Sequence, residues 1–470
     1  MALIDFKVLP GIDKQDTASG AEFRWVDCNN TRFRYGLPEK VGGWSSLVTD
    51  TIVGVARREF AFVDLDGNRY VAIGTDKFLL IYFEGQLYDI TPLKTTLTSA
   101  TLATTDTSAI CSITTGTNHD LSVGDIVLLD TVTLPVGTGY VDADFENKLF
   151  QVTSITSATV FTITQSTAAT ATVGTGGSLS VKPYEQVGPA EQSYGYGWGI
   201  DTWSSGKWGE AASASDVSLE PGLWSLSNFG QVLVATIANR KTFTWNAGDA
   251  ARLITRASTT TSGFETTNNP TATRITLVSP TTRHLIHLGT ETTIGDPTTQ
   301  DDMFIRFSDQ EDINDYVPTA INSAGSQRLQ DGTRIIGALK AKESILVWTD
   351  NALYTMKFIG APFTFGFEQV GTNCGLIGKN AAIEIDGMAF WMSSNGFFMF
   401  DGTVKSLPCS VEDYVYDQAD TTKGQQVYAG INNLFTEVVW YYPSTSSEYN
   451  DQYVVFNYGE PMKGGTWYIG

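Results

Sequence analysis

Two carboxylate-rich segments are the first candidates for chemistry in this chain of 470 residues. Asp64-Leu-Asp66-Gly67-Asn68 has the opening of a calcium loop, in which alternating oxygen ligands surround a hard cation. Such a loop needs a bidentate Glu at its twelfth place, and counted from Asp64 that place holds Thr75. An Asp-Gly hairpin turn between Phe60–Val63 and Tyr70–Ile73 is the reading the flanking β-formers favour. The run Asp309-Gln-Glu311-Asp312-Ile-Asn-Asp315 could supply the carboxylate pair of a glycoside hydrolase, while a solvated turn after a strand asks less of it. No Gly-x-Ser-x-Gly elbow, phosphate-binding Gly-Lys-Ser/Thr loop or HExxH occurs. His119, His284 and His287 are the three histidines, and Cys28, Cys111, Cys374 and Cys409 are scattered with no CxxC spacing. A zinc site is therefore not expected, and the thiols read as reduced and structural. No catalytic, cofactor-binding or metal-binding residue is assigned, and a non-enzymatic role is expected.

Tyr194-Gly-Tyr-Gly-Trp198-Gly-Ile-Asp-Thr-Trp203-Ser-Ser-Gly-Lys-Trp208-Gly209 alternates aromatic and glycine residues. Flexible glycines let rings approach a surface closely, so the segment suits either a sugar-stacking platform or a loop packed against a neighbouring blade or subunit. The second reading is preferred. Residues 1 to about 50 are irregular and carry Arg24, Trp25, Arg32, Arg34 and Lys40, a dense basic stretch in an acidic chain. These residues, with Trp198, Trp203 and Trp208, are the candidate contacts to other subunits. Ion pairs within the chain are the alternative for the basic ones.

The elements that would position these groups are strands. One hairpin pattern occurs four times: Val71–Tyr82, Leu233–Trp245, Ile345–Met356 and Ala389–Phe400. Each is an apolar strand, a polar turn with Asp, Asn or Ser, and a second strand ending in an aromatic or Met. Three reach a glycine soon afterwards (Gly85, Gly248, Gly402), which suits another reversal. The turns at Asp350 and Ser394 lie 44 residues apart. A looser relative, Met303–Phe307 with Ser308-Asp309, begins its turn 41 residues before Asp350. A period of roughly 40–50 residues is that of propeller blades. Glu437–Tyr442 with Gln452–Asn457 supplies a further hairpin. Trp348, Tyr354, Phe390, Trp391, Phe398 and Phe400 are the expected blade-core aromatics, and Val411–Ala419 the one short helix candidate.

Between Lys94 and Lys182 the only basic residue is Lys148, and Thr, Ser, Ala and Val dominate. Alternating apolar residues in His119–Leu129 and Phe150–Ile163 read as short strands. The expected organisation is thus all-β: an N-terminal arm (1–50), a first part of a β-propeller-type core of four-stranded blades (51–94), a small inserted β-barrel or sandwich (95–184), and the rest of the propeller (185–470). Ordinary hairpins of a β-sandwich are the alternative.

Hydrophobic residues make up 42% of the chain, enough for a packed core. The net charge of −21 argues against gripping nucleic acid through its phosphates, although an acidic or neutral surface suits DNA that must slide past. The N-terminus lacks a secretory pattern, and nothing approaches the apolar length of a membrane span.

Arg24-Trp25-Val-Asp27, Arg32-Phe-Arg34-Tyr-Gly36 and Gly42-Gly43-Trp44 resemble the N-terminal signature of tail nozzle proteins, or tail tubular protein B, of short-tailed bacteriophages. The Trp–Gly segment at 194–209 resembles that family too, as do Arg306-Phe-Ser308-Asp309-Gln310-Glu311-Asp312 with Ser323-Ala-Gly325-Ser, Arg334-Ile-Ile-Gly337 and Gly375-Leu-Ile-Gly378. The likeness covers most of the chain except the insert. It implies a structural virion protein built on a propeller-type domain. Such subunits form a homo-hexameric tube below the adaptor ring, with tail fibres or other tail proteins bound to it, and viral DNA leaves through the tube without specific binding. It also implies assembly in the host cytoplasm and residence in the virion tail, and a chain continuing past Gly464–Gly470, its last blade incomplete or closed by an N-terminal strand. A glycan-binding or glycan-degrading tail protein is the alternative function.

Overall fold

Six blades follow one another around a common axis in the computed structural model, which describes residues 8–17, 19–21, 23–46, 48, 50–192, 220–259, 269–459 and 466–470. The first blade comprises Ala56–Val63, Arg69–Thr75, Leu79–Phe83 and Gln86–Asp89. The second has three strands among the described residues, Trp224–Phe229, Val232–Ile237 and Thr242–Asn246, with Ser258 bridged to Thr244 along its outer edge. The third comprises Thr273–Val278, Leu285–Thr290, Phe304–Phe307 and Gly325–Arg328. The fourth is Ile335–Lys340, Ile345–Thr349, Ala352–Gly360 and Thr364–Thr372. The fifth is Ala382–Ile385, Met388–Ser393, Gly396–Phe400 and Val404–Ser406. The sixth is Tyr428–Asn432, Glu437–Pro443, Asn450–Asn457 and Thr466–Ile469. Every sheet is an antiparallel meander, and the first strands of successive blades touch from the first blade to the sixth. The chain is an all-β propeller.

The four repeated hairpins are the second and third strands of the first, second, fourth and fifth blades. Their turns are set locally. In the first blade the Thr75 hydroxyl accepts from the backbone N–H of Phe78 at 2.8 Å; in the fourth, Thr349 accepts from Ala352 at 2.8 Å. A threonine at the end of a strand thus closes the reversal that Asp and Asn then occupy. Met303–Phe307 differs: it contains a third strand, so its 41-residue spacing joined non-equivalent turns. The equivalent hairpin of the third blade is split by the 291–303 segment, organised around Glu291, whose carboxylate accepts from the Gly295 N–H at 2.7 Å. The helix forms where expected, as Glu412–Gln418.

Blades adhere through large apolar side chains on both faces. Trp224, Trp245, Trp348, Trp391, Trp440 and Trp467 are all fully buried. Trp224 of the second blade donates to the Thr75 carbonyl of the first at 2.9 Å, and Trp440 of the sixth to the Ala381 carbonyl beside the fifth at 3.0 Å. Gly74 is where this approach is closest: a Cβ there would lie 2.5 Å from the Trp224 ring, so only glycine fits. Among the expected core aromatics, Trp348, Tyr354, Phe390 and Trp391 are buried, whereas Phe398 and Phe400 are half-buried. Their neighbour Phe397 is the fully buried ring, packed 5.1 Å from Trp440 and 4.9 Å from Trp467.

Between the first and second blades stands a closed six-stranded barrel, Leu97–Thr104, Ile110–Thr114, Ile126–Thr133, Lys148–Ser157, Val160–Thr164 and Val173–Pro183. It has its own core, including Leu102, Ile113, Val127, Phe145 and Phe161. Its entry and exit run side by side: Leu93 bridges Tyr184, and the Lys94 N–H donates to the Pro183 carbonyl at 2.8 Å. Because the ends are already adjacent, replacing residues 97–182 with a short linker is expected to leave a folded, soluble propeller. Circular dichroism and size-exclusion chromatography check this; wholesale aggregation would show that barrel and propeller fold only together.

The sixth blade has its own fourth strand, Thr466–Ile469, so it is not incomplete, and among the described residues no N-terminal strand joins its sheet. Among those residues the arm makes the closing contacts by another device. Among the described residues no helix is long and apolar enough to cross a membrane.

Candidate interaction site on the N-terminal arm

The arm is built onto the last blade. The Ile12 N–H donates to the Trp467 carbonyl at 2.8 Å, and the Ser410 hydroxyl donates to the Ile12 carbonyl at 2.5 Å, while the Ile12 side chain is fully buried. A two-stranded hairpin follows, Thr31–Arg34 with Leu37–Lys40. Its two turn residues, Tyr35 (φ 53°) and Gly36 (φ 77°), both lie in the left-handed region, as a two-residue type I′ turn requires. Phe33 points into the core of the fifth and sixth blades, 6.4 Å from the half-buried Trp25 ring.

Arg32 is the rivet. Its Nε and one terminal nitrogen donate to the two oxygens of Glu437 at 3.0 and 3.1 Å, a bidentate pair. The guanidinium lies 3.5 Å over the Phe435 ring. Asn432 Nδ2 donates to the same carboxylate at 3.2 Å, so the buried charges are satisfied on several sides. Around the pair, Lys14 meets Asp27 at 3.0 Å and lies over the Tyr414 ring, and Arg24 stands 3.7 Å from Asp13.

The structure therefore divides the candidate contact residues. Arg32, Arg24 and Trp25 are engaged within the chain. Arg34 and Lys40 are exposed, Arg34 with its guanidinium 5.2 Å from the Tyr35 ring. Trp198, Trp203 and Trp208 lie outside the described residues. Large apolar side chains of the same arm, Tyr35 and Trp44 of the N-terminal motifs among them, stand beside the basic ones. Tyr35 is 84% exposed, Trp44 82%, and Leu37 and Leu434 are also largely exposed. Leu434, far away in the sequence, was not among the expected contacts. Exposed large apolar groups on a fixed mount are the usual mark of a protein-binding surface.

Beyond Trp44, whose ring meets Tyr441 edge-on, the chain crosses to the first blade. Ser46, Val48 and Ile52 border a cavity of about 520 Å³ between the sixth and first blades. Asn380 ties the two sides: its Nδ2 donates to the Arg57 carbonyl at 3.0 Å, and it bridges to Tyr428. Among the described residues the ring is closed by the arm and this asparagine rather than by a shared strand.

The carboxylate segments take structural roles. Asp64 accepts from the backbone N–H groups of Asp66 and Asn68 at 2.9 and 2.8 Å, closing the hairpin of the first blade. Asp309 accepts from the Ser323 N–H and Asp315 from Asn322 Nδ2, both at 2.8 Å, and Glu311 pairs with Arg283 at 3.0 Å. These carboxylates hold the loop after the third strand together. His284 and His287 are core residues. Burial holds them uncharged, pushing His284 down to about 4 and His287 to about 3, with His287 Nε2 2.9 Å from the Tyr316 hydroxyl. The four cysteines are free thiols, and no cluster of three or more metal-ligating side chains occurs among the described residues.

No family model and no curated protein matches the chain. Among solved structures it is similar to the endosialidase of phage phi92, at 10% identity over 88% of this chain and 56% of that one, with a TM-score of 0.21. It is also similar to AztD of Citrobacter koseri, at 13% identity over 77% of this chain and 74% of that one, with a TM-score of 0.29. The chain thus spans little more than half the length of the endosialidase. Likenesses this loose identify neither a shared activity nor a shared ligand.

Proposed function

We propose that this chain is a structural subunit of a short-tailed bacteriophage tail, a nozzle protein that assembles as a homo-hexameric ring below the adaptor ring and conducts DNA outward. The observation that carries the reading is the arm: an apolar and basic surface of Tyr35, Leu37, Trp44, Arg34 and Lys40, mounted rigidly on the last blade. In a chain of net charge −21 a basic edge of this kind complements the acidic surface of the next copy. A head-to-tail contact between two different patches closes into a ring when the rotation allows. Fibres or other tail proteins bind the same assembly, which forms in the host cytoplasm and resides in the virion tail. The role is structural and involves no catalysis.

The purified chain is expected to give six-fold rings by negative-stain microscopy, and the triple variant Arg34→Glu, Tyr35→Ser, Trp44→Ser to stay folded but monomeric. Rings in that variant would remove the arm from the interface. Duplex DNA should show no binding to the ring at physiological salt, where non-specific binders reach about 10⁻⁴ to 10⁻⁶ M. Micromolar, salt-sensitive DNA binding would defeat the low-friction conduit. Cleavage of a polysaccharide by the purified chain would favour a glycan-directed tail protein instead.

A further inference from the structure

The propeller axis holds a cavity of about 240 Å³, bordered by first strands of five blades. Three cations line it: Arg58 of the first blade, Lys340 of the fourth and Lys379 just before the fifth. None of them forms an ion pair among the described residues. Their partners are neutral: Lys340 Nζ donates to Ser227 Oγ at 2.9 Å, Lys379 Nζ to Ser225 Oγ at 2.6 Å, and Arg58 to Asn380 Oδ1 at 3.2 Å. The nearby Glu220 is engaged by Arg274 at 2.7 Å and Arg334 at 2.8 Å. Glu384 borders the cavity too, and accepts from the Gly387 N–H at 2.7 Å.

Trp348 closes one wall of the cavity with a fully buried ring. Three cations gathered in one cavity, none of them in an ion pair among the described residues, repel one another, and one multivalent anion would relieve that repulsion. At about 30 Å³ per water, the space holds a tetrahedral anion with several waters.

We propose that the axial cavity is a binding site for a small multivalent oxyanion of the phosphate or sulfate class, held by Arg58, Lys340 and Lys379. Burial, and then the neighbouring Arg58 charge, push Lys379 down to about 7 and Lys340 to about 8, and a bound anion would raise both. The site is independent of the ring proposed above, since all its residues belong to one chain.

The test is thermal unfolding and calorimetric titration of the purified chain with sodium phosphate and sodium sulfate, ionic strength being held constant with sodium chloride. Either dianion should raise the melting temperature in proportion to the logarithm of its concentration above saturation. Lys379→Met and Arg58→Met should each weaken binding at least tenfold, and Lys357→Met, at an exposed lysine, should leave it unchanged. If Lys379→Met does not fold, Lys340→Met carries the same expectation. Phosphate and sulfate acting no differently from chloride would overturn the site, as would a folded Lys379→Met or Lys340→Met that binds like the wild type.

Discussion

Arg32→Ala is expected to destabilise the protein by about 3–5 kcal/mol, because it leaves the Glu437 carboxylate buried and without its counter-charge. The Glu437 side chain is only 1% exposed and sits under the arm. Part of the loss is expected as local release of the arm, since freeing residues 8–55 would readmit water to Glu437. Two measurements separate the modes: a shift of the urea midpoint reports global stability, and faster proteolysis between Val41 and Val55 reports the released arm. Arg32→Lys keeps the charge but not the two-pronged geometry, and should fall between. The double variant Arg32→Met, Glu437→Met should recover much of the loss, since removing both buried charges costs far less than removing one. If Arg32→Ala melts with the wild type and resists protease equally, the arm is not fastened by this pair.

Trp391→Ala is the second large effect, also about 3–5 kcal/mol. The ring is fully buried, 5.4 Å from Trp348 on the fourth blade and stacked 5.7 Å from Phe398. Its indole N–H donates to the Cys374 carbonyl at 2.9 Å, on the segment linking the fourth and fifth blades. Truncation therefore opens a cavity at a blade interface and strips an acceptor at once. Trp391→Phe separates the two terms: the ring volume largely remains, and the residual loss of about 1–3 kcal/mol reports the orphaned carbonyl. An Ala variant with an unshifted unfolding curve would mean that the interface between those blades contributes nothing to stability.

Local signals made the propeller legible. Four blades advertise their second and third strands because the reversal between them is short, polar and fixed by side chains such as Thr75 and Thr349. The third blade hid its hairpin behind the 291–303 segment, and a third strand was matched in place of a second. The barrel was legible because its composition changes abruptly at both ends. Within the fifth blade, Phe397 takes the core place expected of Phe398 and Phe400. A blade between two others is packed on both faces, so Phe397 is buried as well as Trp391, and alternation no longer marks a single inside.

The site was legible by half. The density of arginine in the arm drew notice, but the partner that fixes Arg32 lies 405 residues away. Glu437 offered only one hint, a lone carboxylate opening the otherwise apolar strand Glu437–Pro443. Arg58, Lys340 and Lys379 offered less still. Each is unremarkable in its own segment, and their meeting on the axis exists only once the blades have closed.

Fastening by an arm also sets an order in time. The segment around Ile12 leaves the ribosome 455 residues before Trp467, the residue to which it bonds. Through nearly all of translation Phe33 and Trp25 have no surface to cover, and the ring cannot shut. A polypeptide cut short anywhere upstream of Thr466–Ile469 leaves the arm loose and its outer face unformed. In the proposed ring, a chain without that strand would present no fixed arm to another copy, so the clasp would keep such chains out of the assembly.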